Sequence, residues 1–114
     1  ALTQGHDYIT EQVGAEMFLV LLPLKEEAYA EALVDDLGAE YLLELAESRR
    51  MMMDVCAENG WHCIDPLPAF QTAIENGESV YYALDFHLDS SGNRILAQLI
   101  RDYVVENDLI AVRE

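Results

Sequence analysis

A continuous apolar run, Met17-Phe18-Leu19-Val20-Leu21-Leu22, stops at Pro23. It is short and does not alternate, which suits a strand covered on both faces, as in a parallel sheet. A parallel partner must be reached through a crossover, usually helical. The rest of the chain offers that pattern. Residues 3 to 16 read as a polar helix or helix end, with Thr3 or Asp7 as caps and Gly14 near its close. Lys25 to Leu37 reads as a helix ending at Gly38. From Ala39 to Asn59 a second helical pattern places Leu42, Leu45, Ala46, Met52, Met53 and Cys56 near one face, and Asn59-Gly60 closes it. Trp61-His62-Cys63-Ile64 is a second short strand, stopped by Asp65-Pro66. Residues 68 to 76 form a short helix, Val80 to Leu84 is extended, and Ser90 or Ser91 opens a last helix on Ile95, Leu96, Leu99 and Tyr103.

This order is α/β, and it predicts Met17 to Leu22 and Trp61 to Ile64 as neighbouring parallel strands. Two strands alone would leave sheet edges and apolar faces bare. Either further strands hide in residues 1 to 16, or the 114 residues are the C-terminal half of a larger domain. The bare edges favour the second.

Composition narrows the function. The net charge is -16, from 22 acidic and 6 basic residues. Phosphates would be repelled, so neither nucleic acid nor an anionic membrane surface is a natural partner. Hydrophobic residues make up 52%, enough for a packed core and against disorder. The longest apolar stretch falls far short of the roughly 20 residues that span a bilayer. Two cysteines, Cys56 and Cys63, are too few for a disulfide framework, and a buried reduced pair is the default expectation.

The densest group of chemically capable residues is Leu84-Asp85-Phe86-His87-Leu88-Asp89-Ser90-Ser91-Gly92-Asn93. A histidine two residues from a carboxylate can meet it in a tight loop, leaving one imidazole nitrogen free to take a proton. The bland alternative makes Asp85 and Asp89 turn caps and His87 a half-exposed loop residue. A cation site on Asp85, His87 and Asp89 is conceivable, but three ligands from one stretch with no second cluster is a thin basis. His62 reads as a packed or edge histidine of its strand, and lone His6 is uninformative. Met51-Met52-Met53 reads as core filling plus one exposed side chain. Glu26, Glu27, Glu31, Asp35 and Asp36 read as a solvated acidic helix face. Arg49-Arg50 reads as pairing with Glu44 to Glu47.

Residues 80 to 100, Val-Tyr-Tyr-Ala-Leu-Asp-Phe-His-Leu-Asp-Ser-Ser-Gly-Asn-Arg-Ile-Leu-Ala-Gln-Leu-Ile, resemble the last conserved block of the SGNH (GDSL-type) hydrolases. Leu21-Leu22-Pro23-Leu24-Lys25-Glu26-Glu27-Ala28-Tyr29 resembles the strand-Pro-x-Lys-Glu-x-x-Tyr stretch of a subgroup, and Cys63-Ile64-Asp65-Pro66-Leu67-Pro68-Ala69-Phe70 its following strand and turn. The resemblance covers about residues 17 to 105 and implies a flavodoxin-like three-layer fold. It also implies that His87 is the general base of a Ser-His-Asp triad, with Asp85 as its orienting carboxylate. Two positions depart from the family pattern: Asp89 stands where asparagine is common, and Asn93 where histidine is common. The larger departure is that the chain has no Gly-Asp-Ser turn. Ser48, Ser79, Ser90 and Ser91 lack the elbow that exposes a nucleophile.

The resemblance thus implies a part of a serine esterase or acyltransferase acting on O-acyl groups of a small molecule or carbohydrate. It needs no metal or organic cofactor, is silent alone, and belongs in an extracytoplasmic setting. Its bare surface would be covered by a second copy or by the nucleophile-bearing half. The rival reading is a non-catalytic acidic α/β module that binds a protein.

Overall fold

The computed structural model describes residues 2–14 and 16–109. Helix α1 (Leu2–Asp7) runs into a π-helical stretch (Tyr8–Val13) that Gly14 ends in a left-handed conformation. The sheet-forming strand of the apolar run, β1, is Phe18–Val20. Then follow α2 (Lys25–Ala28), α3 (Ala30–Leu37), α4 (Ala39–Asn59), β2 (His62–Ile64), α5 (Leu67–Glu75) and α6 (Ser90–Glu106). The chain is therefore mixed helix and strand, in keeping with the α/β class.

β1 and β2 pair in parallel, with Phe18 beside His62, Leu19 beside Cys63 and Val20 beside Ile64. The Leu21 N–H extends the pairing by donating to Ile64 O at 2.9 Å. Among the described residues no third strand joins them, and residues 2–13 are helical rather than a hidden strand.

Pro23 ends the strand segment, and the Glu27 carboxylate accepts from the Leu24 N–H at 2.7 Å, closing the first turn of α2. The expected Lys25 to Leu37 helix is interrupted at Tyr29 (φ -102°, ψ 23°), where the chain bends before α3. That bend brings the Tyr29 ring beside Tyr81, with centroids 6.2 Å apart. At the end of α4, Gly60 takes a left-handed conformation while its N–H reaches Ala57 O and the Trp61 N–H reaches Cys56 O. This Schellman closure reverses the chain directly into β2.

The reversal lays Cys56 against Cys63, and the two form a disulfide, Cα atoms 6.2 Å apart. The expected reduced pair is therefore corrected. A turn that folds a helix end back on the next strand brought together two thiols whose spacing in sequence gave no such sign.

The core is Ala28, Phe70, Ala73, Val80 and Tyr81, with Tyr29, Leu67, Ile74, Leu88, Ile95 and Leu96 packed around it. It joins α2, α5 and α6 to the segment after α5, while Cys56, Ile64 of β2 and Val104 of α6 are buried as well. Val80 to Leu84 is not a continuous strand: Tyr81 forms a single antiparallel bridge with Leu88, making a hairpin that leads into α6. Gly92 lets α6 approach that hairpin, since a Cβ there would stand 2.1 Å from Val80 O.

On α4 the inward face is Leu42, Leu45, Arg49, Met52, Met53 and Cys56, with Arg49 in the middle and the expected Ala46 exposed. Met51 is the exposed methionine of its trio. Among the described residues no helix is long and apolar enough to cross a membrane.

Candidate functional site

The site begins at the start of α6. Asp89 is its N-cap, accepting from the Gly92 N–H at 2.9 Å through Oδ1 and from the Ser79 hydroxyl through Oδ2. These bonds, Ser79 foremost, hold the Asp89 carboxyl below its ordinary range. Asp89 also donates its N–H to Val80 O at 2.9 Å, and the Tyr82 N–H donates to His87 O at 3.0 Å. The hairpin stems are thus tied at two levels.

Asp85 and His87 occupy the turn above those ties. Asp85 Oδ1 accepts from the His87 N–H at 2.7 Å and lies 3.3 Å from His87 Nδ1. Both side chains are open to water, 53% and 86% exposed. His87 borders a cleft of about 320 Å³ lined by Leu22, Pro23, Tyr81, Phe86, Leu88 and Asn93. An imidazole so placed has one nitrogen beside a carboxylate and can exchange a proton at the other.

Two further residues hold the surroundings. The Tyr81 hydroxyl donates to Pro23 O at 2.6 Å, and burial, with Glu27 nearby, pushes its pKa up to about 12. The Lys25 ammonium donates to the carbonyls of Tyr82, Ala83 and Asp85. Loop residues Leu84 and Phe86 stay 99% and 78% exposed.

The remaining candidates lie elsewhere. Ser79 is committed to Asp89, Ser48 donates to Glu44 O, and Ser90 and Ser91 sit in the first turn of α6. Among the described residues no serine hydroxyl is hydrogen-bonded to His87. Both cysteines are spent in the disulfide. Among the described residues no three His, Cys, Asp or Glu side chains are grouped to hold a metal ion. His62 packs edge-on against Tyr103 with Nδ1 3.2 Å from the hydroxyl, and His6 stacks on Trp61.

Sequence reasoning missed a buried charge network. Arg49 Nε and Nη2 donate to the two oxygens of Glu27 at 3.0 and 2.9 Å, and Nη1 to Asp65 at 2.9 Å and Leu21 O at 2.8 Å. Burial works against the charge, but the hydrogen bond to Glu27 and the two nearby carboxylates outweigh it and raise the Arg49 pKa. So Glu27 leaves the expected solvated face, and Arg49 does not pair with Glu44 to Glu47. Arg50 does, through Glu47, with Asp54 at 3.7 Å. The missed signal was spacing: 42, 45, 49, 52 and 56 share one helix face, and a charge in the middle of it calls for a buried partner. Comparison with family models, with curated proteins and with solved structures finds no match for the chain.

Proposed function

We propose that this chain is the His- and Asp-bearing part of an SGNH-type serine esterase or acyltransferase acting on O-acyl esters. In that reading it forms part of a flavodoxin-like three-layer unit. The observation that carries it is the Asp85–His87 pair, held 3.3 Å apart on one hairpin beside an apolar cleft.

In this role His87 takes the proton of a serine supplied by another segment, the serine oxygen attacks the acyl carbonyl, and His87 returns the proton to the departing alcohol. Asp85 stabilises the imidazolium and keeps the ring turned. The lining of Leu22, Phe86 and Leu88 suits an acyl chain rather than a charged group. The Cys56–Cys63 disulfide fits an oxidising, extracytoplasmic compartment. The open edges of the two-stranded sheet and the apolar hairpin fit a second copy or the serine-bearing partner, and light scattering after size exclusion reads which.

The test is turnover of short-chain nitrophenyl esters, with fluorophosphonate labelling of any active serine. The chain alone is expected to match its own His87→Ala variant. In a polypeptide or complex that supplies the serine, His87→Ala is expected to lose about 10³-fold or more. Unchanged turnover there would reject the reading. A second reading, an acidic protein-binding module, is favoured by the exposure of Leu84 and Phe86 on an otherwise acidic chain, and it predicts no labelled serine in any assembly.

A further inference from the structure

Lys25 is the single lysine of the sequence, and its ammonium meets three backbone carbonyls at once: Tyr82 O at 2.6 Å, Ala83 O at 3.1 Å and Asp85 O at 3.2 Å. An ammonium has three N–H donors, so the three acceptors match its capacity. Carbonyl oxygens turned toward one point repel each other unless a cation sits among them, and charge-assisted bonds are about twice as strong as neutral ones.

The two sides of this contact differ in what else restrains them. Lys25 opens α2, whose Glu27 is locked by Arg49 and whose Ala28 lies in the core. The hairpin stems are tied by the Tyr82 and Asp89 N–H groups. Residues 82–87, however, are all exposed, so packing does not set their backbone. Lys25 is the tether that reaches them from a rigid base.

We propose that Lys25 is a positioning residue for the Asp85–His87 pair. By fixing the carbonyls on either side of Leu84, it sets the direction from which Asp85 meets the His87 ring. The proposal rests on the ester-transfer reading for its purpose, and on the three hydrogen bonds for its existence.

Nuclear magnetic resonance of the full chain tests it, because a single lysine gives a single side-chain ammonium signal. A slowly exchanging Lys25 signal, coupled across hydrogen bonds to the carbonyl carbons of residues 82, 83 and 85, is expected, with the His87 ring proton held on Nδ1. Lys25→Met keeps much of the aliphatic stem and removes the donors. It should speed amide exchange at Tyr82 and His87 by at least about tenfold, given the strength of charged donors. It should also let the ring proton divide between both nitrogens. The Leu21 amide, bonded to Ile64 across the sheet, should not change. Lys25→Arg should recover part of the protection.

Unchanged exchange and ring protonation in Lys25→Met would overturn the proposal. If that variant loses the sheet as well, the wild-type couplings decide, and their absence overturns it equally. Turnover insensitive to His87→Ala would reject the ester reading while leaving these signals in place, so the two fail separately.

Discussion

Arg49 and Lys25 each gather oxygen atoms from distant parts of the chain, but in different surroundings. The Arg49 guanidinium and the Glu27 carboxylate are 10% and 8% exposed, and they bind the end of the β1 segment, α2, α4 and the turn after β2 into one network. Lys25 works at the rim, holding the turn of the hairpin, residues 82–87, whose side chains stand in water. Removing a partner from the first place strands a charge in a poor dielectric. At the second place, water takes over the lost bond. Folding therefore depends on Arg49, whereas the geometry of Asp85 and His87 contributes little to stability and is free to serve chemistry.

Arg49→Met should mark the contrast most sharply. It leaves Glu27 buried without its cation, and a loss of about 3–5 kcal/mol in chemical denaturation is expected. A loss under about 1 kcal/mol would show that water already reaches the network, and the contrast between the two regions would fall. Reducing Cys56–Cys63, or replacing both by serine, comes next. The bridge closes a short loop, its cysteines seven apart in sequence, so about 2–3 kcal/mol should be lost, seen as a lower melting temperature with reductant.

Asp89→Ala should cost about 1 kcal/mol, since it removes the cap of α6 and the partner of Ser79. It also carries a pH signature. The folded-state Asp89 pKa is lowered, so its contribution is present above the ordinary carboxylate range and is lost as pH falls through the lowered value. The variant should accordingly show a flatter acid limb than the wild type. The smallest effect is expected at His87→Ala, within about 0.5 kcal/mol of wild type. A larger loss would mean that the exposed pair holds the fold together after all, and would erase the distinction drawn with Arg49.

The parallel pairing of the two apolar runs was legible, because such runs have few other ways to be buried. The closure at Gly60 and the shared turn of Asp85 and His87 were legible for the same local reason, and the start of α6 at Ser90 was too, with Asp89 just before it as the cap. Neighbours within a few residues fix hydrogen bonds that tertiary context seldom overrides. The break at Tyr29 was not legible, since the ring it meets, Tyr81, lies 52 residues further along. Nor were the Arg49 network, the disulfide or the Lys25 tether.

The amino-acid sequence by itself determined the order of strands and helices and most of their stops, and that a carboxylate and a histidine share one turn. Tertiary structure alone decided which charges are buried, that the two thiols meet and that the single lysine reaches the hairpin. Local propensity is settled by covalent neighbours, whereas the partner of a charge is settled by desolvation, and desolvation exists only once separate segments have packed.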